Sequence, residues 1–289
     1  MKLLNALFPG KTPTAGHSAR TWLTTASFWS YMAVSNPVLF GGALAVYAAT
    51  TPFDRRRTLL HRYTSFWAYH YVGALPLWRC QFDGVENIKK DRTYVLVANH
   101  QSLGDILVLF GLFRHFKWIS KAEIFRVPFI GWNMYLNDYV RLQRGDSKSV
   151  EEMLQACRSH LQAGSSIMMF PEGSRSKDGE LKPFKRGAFA LAKELDVEVV
   201  PIVVDGTRDA LPKHGLMLTQ EQALQMAVRV LPPVRPQDFD SVQALSDAVR
   251  GQMLEVLTAM RAEGSGQVSG PEAEVPPPQP NGHSRPGRV

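Results

Sequence analysis

Short apolar runs alternate with longer amphipathic segments from residue 81 onward. The apolar runs are rich in β-branched residues and short enough for strands covered on both faces. They predict strands at 94–98, 117–120, 139–143, 166–170, 197–204 and 226–231. The amphipathic segments predict helices at 103–114, 147–162 and 187–195, and a last helix at about 241–263. This alternation indicates an α/β fold with a mostly parallel sheet flanked by helices.

The N-terminal part of the chain has a different pattern, because residues 21–53 include no charged side chain. A bilayer is crossed by roughly 20 apolar residues, so this stretch is long enough to span one. Asn36-Pro37 and Gly41-Gly42 interrupt it. The pattern therefore fits a kinked span, two short helices that enter and leave one leaflet, or a pair of buried core helices. The run Arg55-Arg56-Arg57 predicts a cytoplasmic position for the end of this stretch.

These patterns divide the chain into four segments. Residues 59–78 mix aromatic with polar side chains, which is typical of a helix in the headgroup region or of one packed on the soluble domain. Beyond residue 264 the chain is rich in Gly, Ser and Pro and has little to bury. The predicted organisation is a basic segment at 1–20, membrane-embedded or interfacial helices at 21–79, an α/β domain at 80–263 and a disordered tail at 264–289.

The charge of the chain narrows the class of partner. The formal net charge of +7 favours an anionic partner, such as nucleic acid, an acidic membrane surface or a phosphorylated substrate. The long apolar stretch and the lack of a nucleic-acid-binding motif argue against nucleic acid. Cys80 and Cys157 match neither a disulfide framework nor a metal-binding spacing, so we expect two reduced thiols in a cytosolic compartment.

The strand predicted at 94–98 leads directly into a polar loop that contains His100. Open α/β sheets build their ligand sites at the carboxyl ends of strands, where this histidine is expected. Asp105 is expected in the first turn of the next helix, because Ser102 and Asp105 have the spacing of a helix start. If the loop brings the two side chains together, Asp105 makes His100 a general base with a fixed tautomer. A helix-start carboxylate beside a polar loop residue fits the same pattern.

A second polar cluster follows the strand predicted at 166–170. Pro171 ends the ladder, Gly173 lets the backbone approach a ligand closely, and Glu172 and Arg175 project from the same turn. An arginine beside backbone N–H groups is suited to a phosphate, although a solvated basic turn has the same composition.

Two more cations follow predicted strands. Lys121 comes directly after residues 117–120, and Arg144 directly after residues 139–143. Each alone fits ordinary surface charge. Because the carboxyl ends of parallel strands meet at one edge of a sheet, together they predict a positive pocket around His100.

Two of these stretches resemble the signature of a known family. Residues 99–105, Asn-His-Gln-Ser-Leu-Gly-Asp, resemble the H-x4-D motif of the glycerolipid acyltransferases, specifically of their 1-acylglycerol-3-phosphate (lysophosphatidate) acyltransferase branch. Residues 170–176, Phe-Pro-Glu-Gly-Ser-Arg-Ser, resemble the F-P-E-G-T-R-S block, with Ser174 in place of the commoner threonine. Three weaker blocks stand in the family's order at 120–125, 144–146 and 200–202. Gln143 departs from the pattern, since the family often has an acid there.

The resemblance implies transfer of an acyl chain from acyl-CoA or acyl carrier protein to the sn-2 hydroxyl of lysophosphatidate, which gives phosphatidate. It implies that His100 takes the proton of the attacking hydroxyl and that Asp105 holds His100. It also implies that six residues bind the substrate: Lys121, Arg144, Glu172, Gly173, Ser174 and Arg175. The three cations of this set would bind the phosphate. A thioester is already activated, so we expect no metal, cofactor or covalent intermediate.

The resemblance, with the apolar N-terminus, also implies membrane lipids as partners and a place at the inner (cell) membrane, with the catalytic domain on the cytoplasmic side. Other functions fit parts of the sequence. The acceptor of the same reaction is open, and a lyso-ornithine lipid or a lysophospholipid fits the motifs as well. A non-catalytic lipid-binding protein of the same fold has no need of an intact His100 and Asp105. A serine hydrolase is disfavoured, because the sequence has no G-x-S-x-G elbow.

Overall fold

The structure, a computed structural model, describes residues 19–211, 218 and 223–266. The segment predicted at 1–20 and the tail predicted at 264–289 lie almost entirely outside these residues. Within them, seven strands form one sheet in the order β1-β7-β6-β2-β5-β3-β4. Their bounds are β1 Trp78–Asp83, β2 Val95–Ala98, β3 Phe116–Lys121, β4 Val140–Leu142, β5 Ser166–Met169, β6 Val199–Asp205 and β7 Leu224–Val230.

Neighbouring strands are parallel except for one pair. β7 runs antiparallel to β6 and parallel to the edge strand β1. All pairs on the other side of β6 are parallel. The α/β fold with a mostly parallel sheet is therefore confirmed. The helices are α1 Ala19–Thr50, α2 Thr58–Gly73, α3 Gly104–Phe110, α4 Ile130–Leu136, α5 Ser147–Gln162, α6 Gly187–Leu195, α7 Thr207–Ala210 and α8 Val242–Gly266.

Alternation along the central strands divides the core into two layers. In β2, Leu96 and Ala98 belong to the hydrophobic cluster formed with α1 to α4. Val95 and Val97 point the other way, into the cluster formed with α5, α6 and α8. Since helices cover both faces, every residue of β2 is buried. The carboxyl ends of the parallel strands lie at one edge of the sheet, and the candidate site is at this edge.

Two predicted segments have different boundaries in the structure. The interfacial helix predicted at 59–78 ends at Gly73, and β1 begins at Trp78, inside the segment assigned to membrane helices. β1 was not predicted, because it is an edge strand whose residues alternate between buried and exposed and resemble the aromatic stretch before it. The helix predicted at 103–114 is also shorter, since residues 111–115 are a turn that leads into β3.

The N-terminal stretch forms one continuous helix. α1 runs through Pro37 and Gly41-Gly42, so the alternative of two short helices is wrong. Its buried residues form one narrow stripe, and most of its surface is exposed, which also excludes a buried core pair. Asn36 explains why the helix persists: its Oδ1 accepts from Trp67 Nε1 at 3.1 Å and from the Tyr71 hydroxyl at 3.2 Å, both on α2. By length and composition α1 can cross a membrane.

Candidate active site

The loop that carries His100 is fastened to a neighbouring strand before it reaches the histidine. The Asn99 side chain continues the ladder from β2 to β6, since its Nδ2 donates to the Val204 carbonyl at 2.8 Å. Its Oδ1 accepts from the Val204 N–H at 2.7 Å. These two bonds hold the start of the loop at the carboxyl edge of the sheet. His100 therefore follows the central strand, with the loops after β5 and β6 on either side.

His100 and Asp105 are in direct contact. The distance from Nδ1 of His100 to Oδ2 of Asp105 is 2.7 Å, and Asp105 is fully buried. Five residues of continuous helix would turn these side chains about 140° apart. The contact forms because α3 begins only at Gly104 and the loop before it folds back. The same Oδ2 accepts from the N–H groups of Gln101 at 2.7 Å and of Ser102 at 2.9 Å.

A buried threonine supplies a further partner of Asp105. Thr207 is the first residue of α7, one residue beyond the end of β6, and its hydroxyl donates to Oδ1 of Asp105. A buried carboxylate is tolerated when its oxygens are hydrogen-bonded, and here both oxygens have donors. Because a carboxylate can only accept, Nδ1 of His100 must carry the proton. That leaves Nε2 as the ring nitrogen able to accept a proton.

The imidazole of His100 rests on an aromatic stack. Its ring centroid lies 3.9 Å from that of Phe170, at an interplanar angle of 11°, and Phe170 stacks in turn on Trp118 at 5.4 Å. Burial lowers the pKa of His100, Asp105 opposes this shift, and two nearby arginines add to it. His100 is therefore neutral at pH 7, the protonation state that a general base requires.

Glu172 supports the histidine loop from the next strand. One carboxylate oxygen accepts from the His100 N–H at 2.8 Å, and the other accepts from the Lys182 N–H at 3.3 Å. The side chain is buried, with a residue exposure of 5%, and burial raises the pKa of Glu172 to about 7. Both oxygens thus have partners within the protein. A direct contact of Glu172 with substrate stays a prediction.

The rest of the 170–176 block wraps around the same loop. The Ser176 N–H donates to the His100 carbonyl at 2.7 Å. Gly173 has a φ of +71°, a backbone conformation that favours glycine. The Ser174 carbonyl and hydroxyl both accept from Nζ of Lys182. Ser174 is therefore tied to the protein in the structure, and its predicted substrate contact is untested.

Two of the three predicted cations lie close enough to influence His100 electrostatically. Arg175 and Arg144 both lower the pKa of His100, Arg175 from a half-buried and Arg144 from an exposed position. Burial lowers the pKa of Arg175, and Arg144 lowers it further. Lys121 ends β3 at the same edge of the sheet and is half-buried. It has no hydrogen bond or ion pair with His100, and its contact with the substrate phosphate stays a prediction.

Sequence reasoning missed Thr207 and Phe170 as parts of the site. Thr207 is 102 residues from Asp105, and no local pattern connects the two. Phe170 did have a signal, because it is the last residue before the polar turn of a predicted strand. No group of three metal-binding side chains occurs among the described residues. Burial raises the pKa of the Cys80 and Cys157 thiols to about 12, so neither is a nucleophile at pH 7.

A family model and individual relatives of known name both match this chain. The Acyltransferase family model matches residues 79–205. The chain is 38% identical over 225 residues to a 1-acyl-sn-glycerol-3-phosphate acyltransferase of Chlamydomonas reinhardtii, with 77% of this chain and 65% of the relative covered. It is 34% identical over 194 residues to human 1-acyl-sn-glycerol-3-phosphate acyltransferase alpha, with 65% of this chain and 67% of the relative covered. About a third of each relative thus has no counterpart in the match.

A solved structure has the same fold. The crystal structure of the 1-acyl-sn-glycerophosphate (LPA) acyltransferase PlsC from Thermotoga maritima superposes with a TM-score of 0.72. The match covers 84% of this chain and 97% of the other, at 27% sequence identity. The family model, the relatives and the solved structure all indicate the same family. The chain belongs to the acyltransferase family of the 1-acyl-sn-glycerol-3-phosphate acyltransferases.

Proposed function

We propose that this protein transfers an acyl chain from a thioester donor to the sn-2 hydroxyl of lysophosphatidate and so produces phosphatidate. The observation that carries the proposal is the 2.7 Å contact between His100 and the buried Asp105, at the carboxyl edge of the central strand. The names of the relatives support lysophosphatidate as acceptor. Acyl-CoA and acyl carrier protein both fit as donors, because each presents the same thioester.

The chemistry follows from the state of His100. Nε2 of the neutral imidazole takes the proton of the acceptor hydroxyl as that oxygen attacks the thioester carbonyl carbon. Asp105 fixes the tautomer and stabilises the imidazolium that forms. The tetrahedral intermediate then expels the thiolate, and His100 returns its proton to the sulfur. Every proton and bond is accounted for by the two substrates and His100, so the scheme needs no metal or covalent enzyme intermediate.

The acceptor phosphate is proposed to bind beside Arg175 and Arg144, with Lys121 at the same edge. A phosphomonoester carries close to two negative charges and is best held by partly desolvated cations with a planar fork. Both arginines influence the pKa of His100, so a phosphate between them lies near the base. Their charges add to the burial that keeps His100 unprotonated.

We also propose that the protein works at a membrane, where a lysolipid resides. The exposed surface of α1 carries large apolar side chains along its length, among them Trp22, Leu23, Val34 and Val38. Apolar exposure of this extent marks a membrane or protein contact. Localisation to the cell membrane, with the catalytic domain on the cytoplasmic side, is part of this proposal and rests on the Arg55-Arg56-Arg57 run after α1.

The proposal is tested with purified protein in detergent and a panel of lysolipids. Each acceptor is offered with acyl-CoA or acyl carrier protein, and products are identified by mass spectrometry. We expect phosphatidate from lysophosphatidate and a loss of at least ~10² in turnover for His100→Ala, the lower range for removing a general base. If a lyso-ornithine lipid or another lysophospholipid is acylated in preference, the proposed acceptor is wrong, but the proposed mechanism still holds. Near-normal turnover of His100→Ala would refute the mechanism itself.

A further inference from the structure

A second cationic cavity lies at the opposite edge of the sheet from His100. It has a volume of about 330 Å³ and is formed at the amino ends of three strands, where Arg92 precedes β2, His115 precedes β3 and Ser166 begins β5. The start of α2 closes it. Six cations contribute to its lining: Arg56, Arg62, Lys89, Lys90, Arg92 and Arg114. The described residues that line it include no carboxylate.

Most of this charge is not neutralised by the protein. Arg56 donates to the Gly164 carbonyl at 2.8 Å and Arg114 to the Ile88 carbonyl at 2.8 Å, and both partners are uncharged. Arg92 has an ion pair, with Glu198 at 3.3 Å. The charged side chains of the remaining three cations have no ion pair or hydrogen bond with another described residue: Arg62, Lys89 and Lys90. A concave site with uncompensated positive charge attracts an anion.

Two buried or half-buried histidines adjoin the cations of this cavity. Burial lowers the pKa of His115 to about 3, and Lys117 and Arg56 contribute to the shift. His61, which also lines the cavity, is buried, and its Nε2 has no hydrogen-bond partner among the described residues. Both histidines are uncharged at pH 7, so the positive charge of the cavity comes from its arginines and lysines.

The surroundings of the cavity indicate which anion it receives. Leu59 and Phe113, which adjoin or line it, are 43% and 44% exposed, and Phe53 at the end of α1 is 69% exposed. Phe53 lies in the chain between α1 and Arg56, so exposed apolar side chains occur from α1 up to the rim of the cavity. Apolar side chains beside basic ones are typical of a surface that lies at the level of lipid headgroups. A soluble anion needs the cations but not this apolar rim.

We propose that this cavity binds the phosphate group of an anionic membrane lipid, at a site separate from the one around His100. The two sites lie about 20 Å apart along β2, at about 3.3 Å per residue over the six residues from Tyr94 to His100. α1 reaches both edges. Thr25 near its start accepts from the N–H of Leu218, and Tyr47 near its end contacts Arg57. One membrane-facing surface therefore carries the proposed lipid site and the catalytic edge.

The test compares two variants that remove the same charge. Arg62→Gln/Lys89→Gln removes two cavity cations whose charged side chains have no partner among the described residues. Arg79→Gln/Lys148→Gln removes one arginine and one lysine from exposed positions on β1 and α5. The binding of full-length protein to phosphatidylcholine vesicles, with and without phosphatidate, is measured by co-sedimentation. Inorganic phosphate at constant ionic strength distinguishes a lipid headgroup from a free anion.

We expect the cavity variant to bind phosphatidate vesicles at least about tenfold more weakly, as follows from the loss of two charges near an anionic surface. The control variant should lose less than twofold, and binding without phosphatidate should be equal in all three proteins. An equal loss in both variants would mean that the vesicles attract the positive charge of the protein in general, and it would refute a specific site in this cavity. Saturable binding of inorganic phosphate, abolished in the cavity variant, would overturn the lipid assignment.

Acylation of lysophosphatidate in detergent micelles should be unchanged in both variants. A loss of this activity in the cavity variant would refute the claim that the two sites are separate.

Discussion

Asp105 combines two tasks in one side chain, since its carboxylate holds the ring of His100 and also accepts from the backbone of the loop before α3. These tasks respond differently to substitution. An amide of the same shape retains an oxygen for the loop, but it cannot stabilise the imidazolium. Asp105→Asn therefore separates the loop geometry from the electrostatics, which makes it more informative than a truncation at this position.

The pH profile of Asp105→Asn gives the first prediction. In the native protein burial lowers the pKa of His100, so kcat/KM should rise with pH through a limb below pH 6.5 and stay level above it. Asp105 is the group that opposes this lowering, so without it the limb should move to still lower pH while the plateau falls by at least ~10². The measurement is kcat/KM against pH with saturating donor. A limb displaced to higher pH would contradict this assignment of Asp105.

Thr207 gives a second prediction, because it touches Asp105 and not the substrate. Thr207→Val keeps the shape of the side chain and removes the hydroxyl, which leaves Oδ1 of Asp105 without that donor. A hydrogen bond to a charged group contributes about 1.5–3 kcal/mol, so we expect kcat to fall about tenfold or more with little change in KM. Thr207→Ser should restore activity and the native pH profile. Equal activity of all three proteins would reduce Thr207 to a packing role.

Arg175 gives the third prediction at this scale, and it bears on the acceptor. Arg175→Lys keeps the charge and loses the planar fork. Use of lysophosphatidate should weaken by one to two orders of magnitude, which matches about 1.5–3 kcal/mol for a charged hydrogen bond. An acceptor without phosphate, such as a lyso-ornithine lipid, should be affected little. Steady-state kinetics on both acceptors check this, and an equal loss on both would assign Arg175 to the loop or the donor.

The elements differ in how far their sequences foretold them. β2, β5 and β6 are buried on both faces, and their predicted bounds are correct to within two residues because burial makes the whole run apolar. β1 and α4 were missed, because β1 lies at an edge and α4 is only two turns long. In α1, Pro37 and Gly41-Gly42 predict an interruption, but the helix continues through them because it packs on α2. The sequence predicts that His100 contacts Asp105 if the loop between them folds back, and the structure has this contact. The contact of Thr207 with Asp105 could not be predicted, because the two residues are 102 positions apart.

The two adjacent glycines of α1 provide a prediction at the scale of this helix pair. A Cβ at Gly42 would lie 2.1 Å from the Tyr63 hydroxyl of α2, whereas a Cβ at Gly41 would meet nothing within 4 Å. Gly42→Ala should push Tyr63 away from its bond to the Leu39 carbonyl and lower the thermal midpoint in detergent. Gly41→Ala should raise the midpoint, since alanine is favoured over glycine in a helix by about 1 kcal/mol. Equal shifts in both variants would mean that α1 and α2 do not pack closely here.

For the whole molecule, the packing of α1 bears on how the protein meets the membrane. A helix of 32 residues is about 48 Å long, more than the roughly 30 Å of a hydrocarbon core. Buried residues occur from Thr21 to Thr50, and α1 packs on α2 and, at Phe40, on Phe129 and Trp132 of the α/β domain. If α1 crossed the bilayer, the surface packed against it would have to enter the hydrocarbon too. We therefore expect α1 to lie in one leaflet, with its exposed apolar side towards the lipid.

This arrangement predicts that both ends of α1 remain on the side of the catalytic domain. Single cysteines at Arg20, Arg55 and Lys148, each an exposed position, are introduced after Cys80→Ser and Cys157→Ala remove the native thiols. In sealed membrane vesicles of either orientation, a membrane-impermeant maleimide should label all three positions together or none of them. The Lys148 position reports the side of the domain, and acyltransferase activity confirms that each variant is folded. Labelling of the Arg20 position from the side opposite to the other two would make α1 a true span and would refute the single-leaflet arrangement.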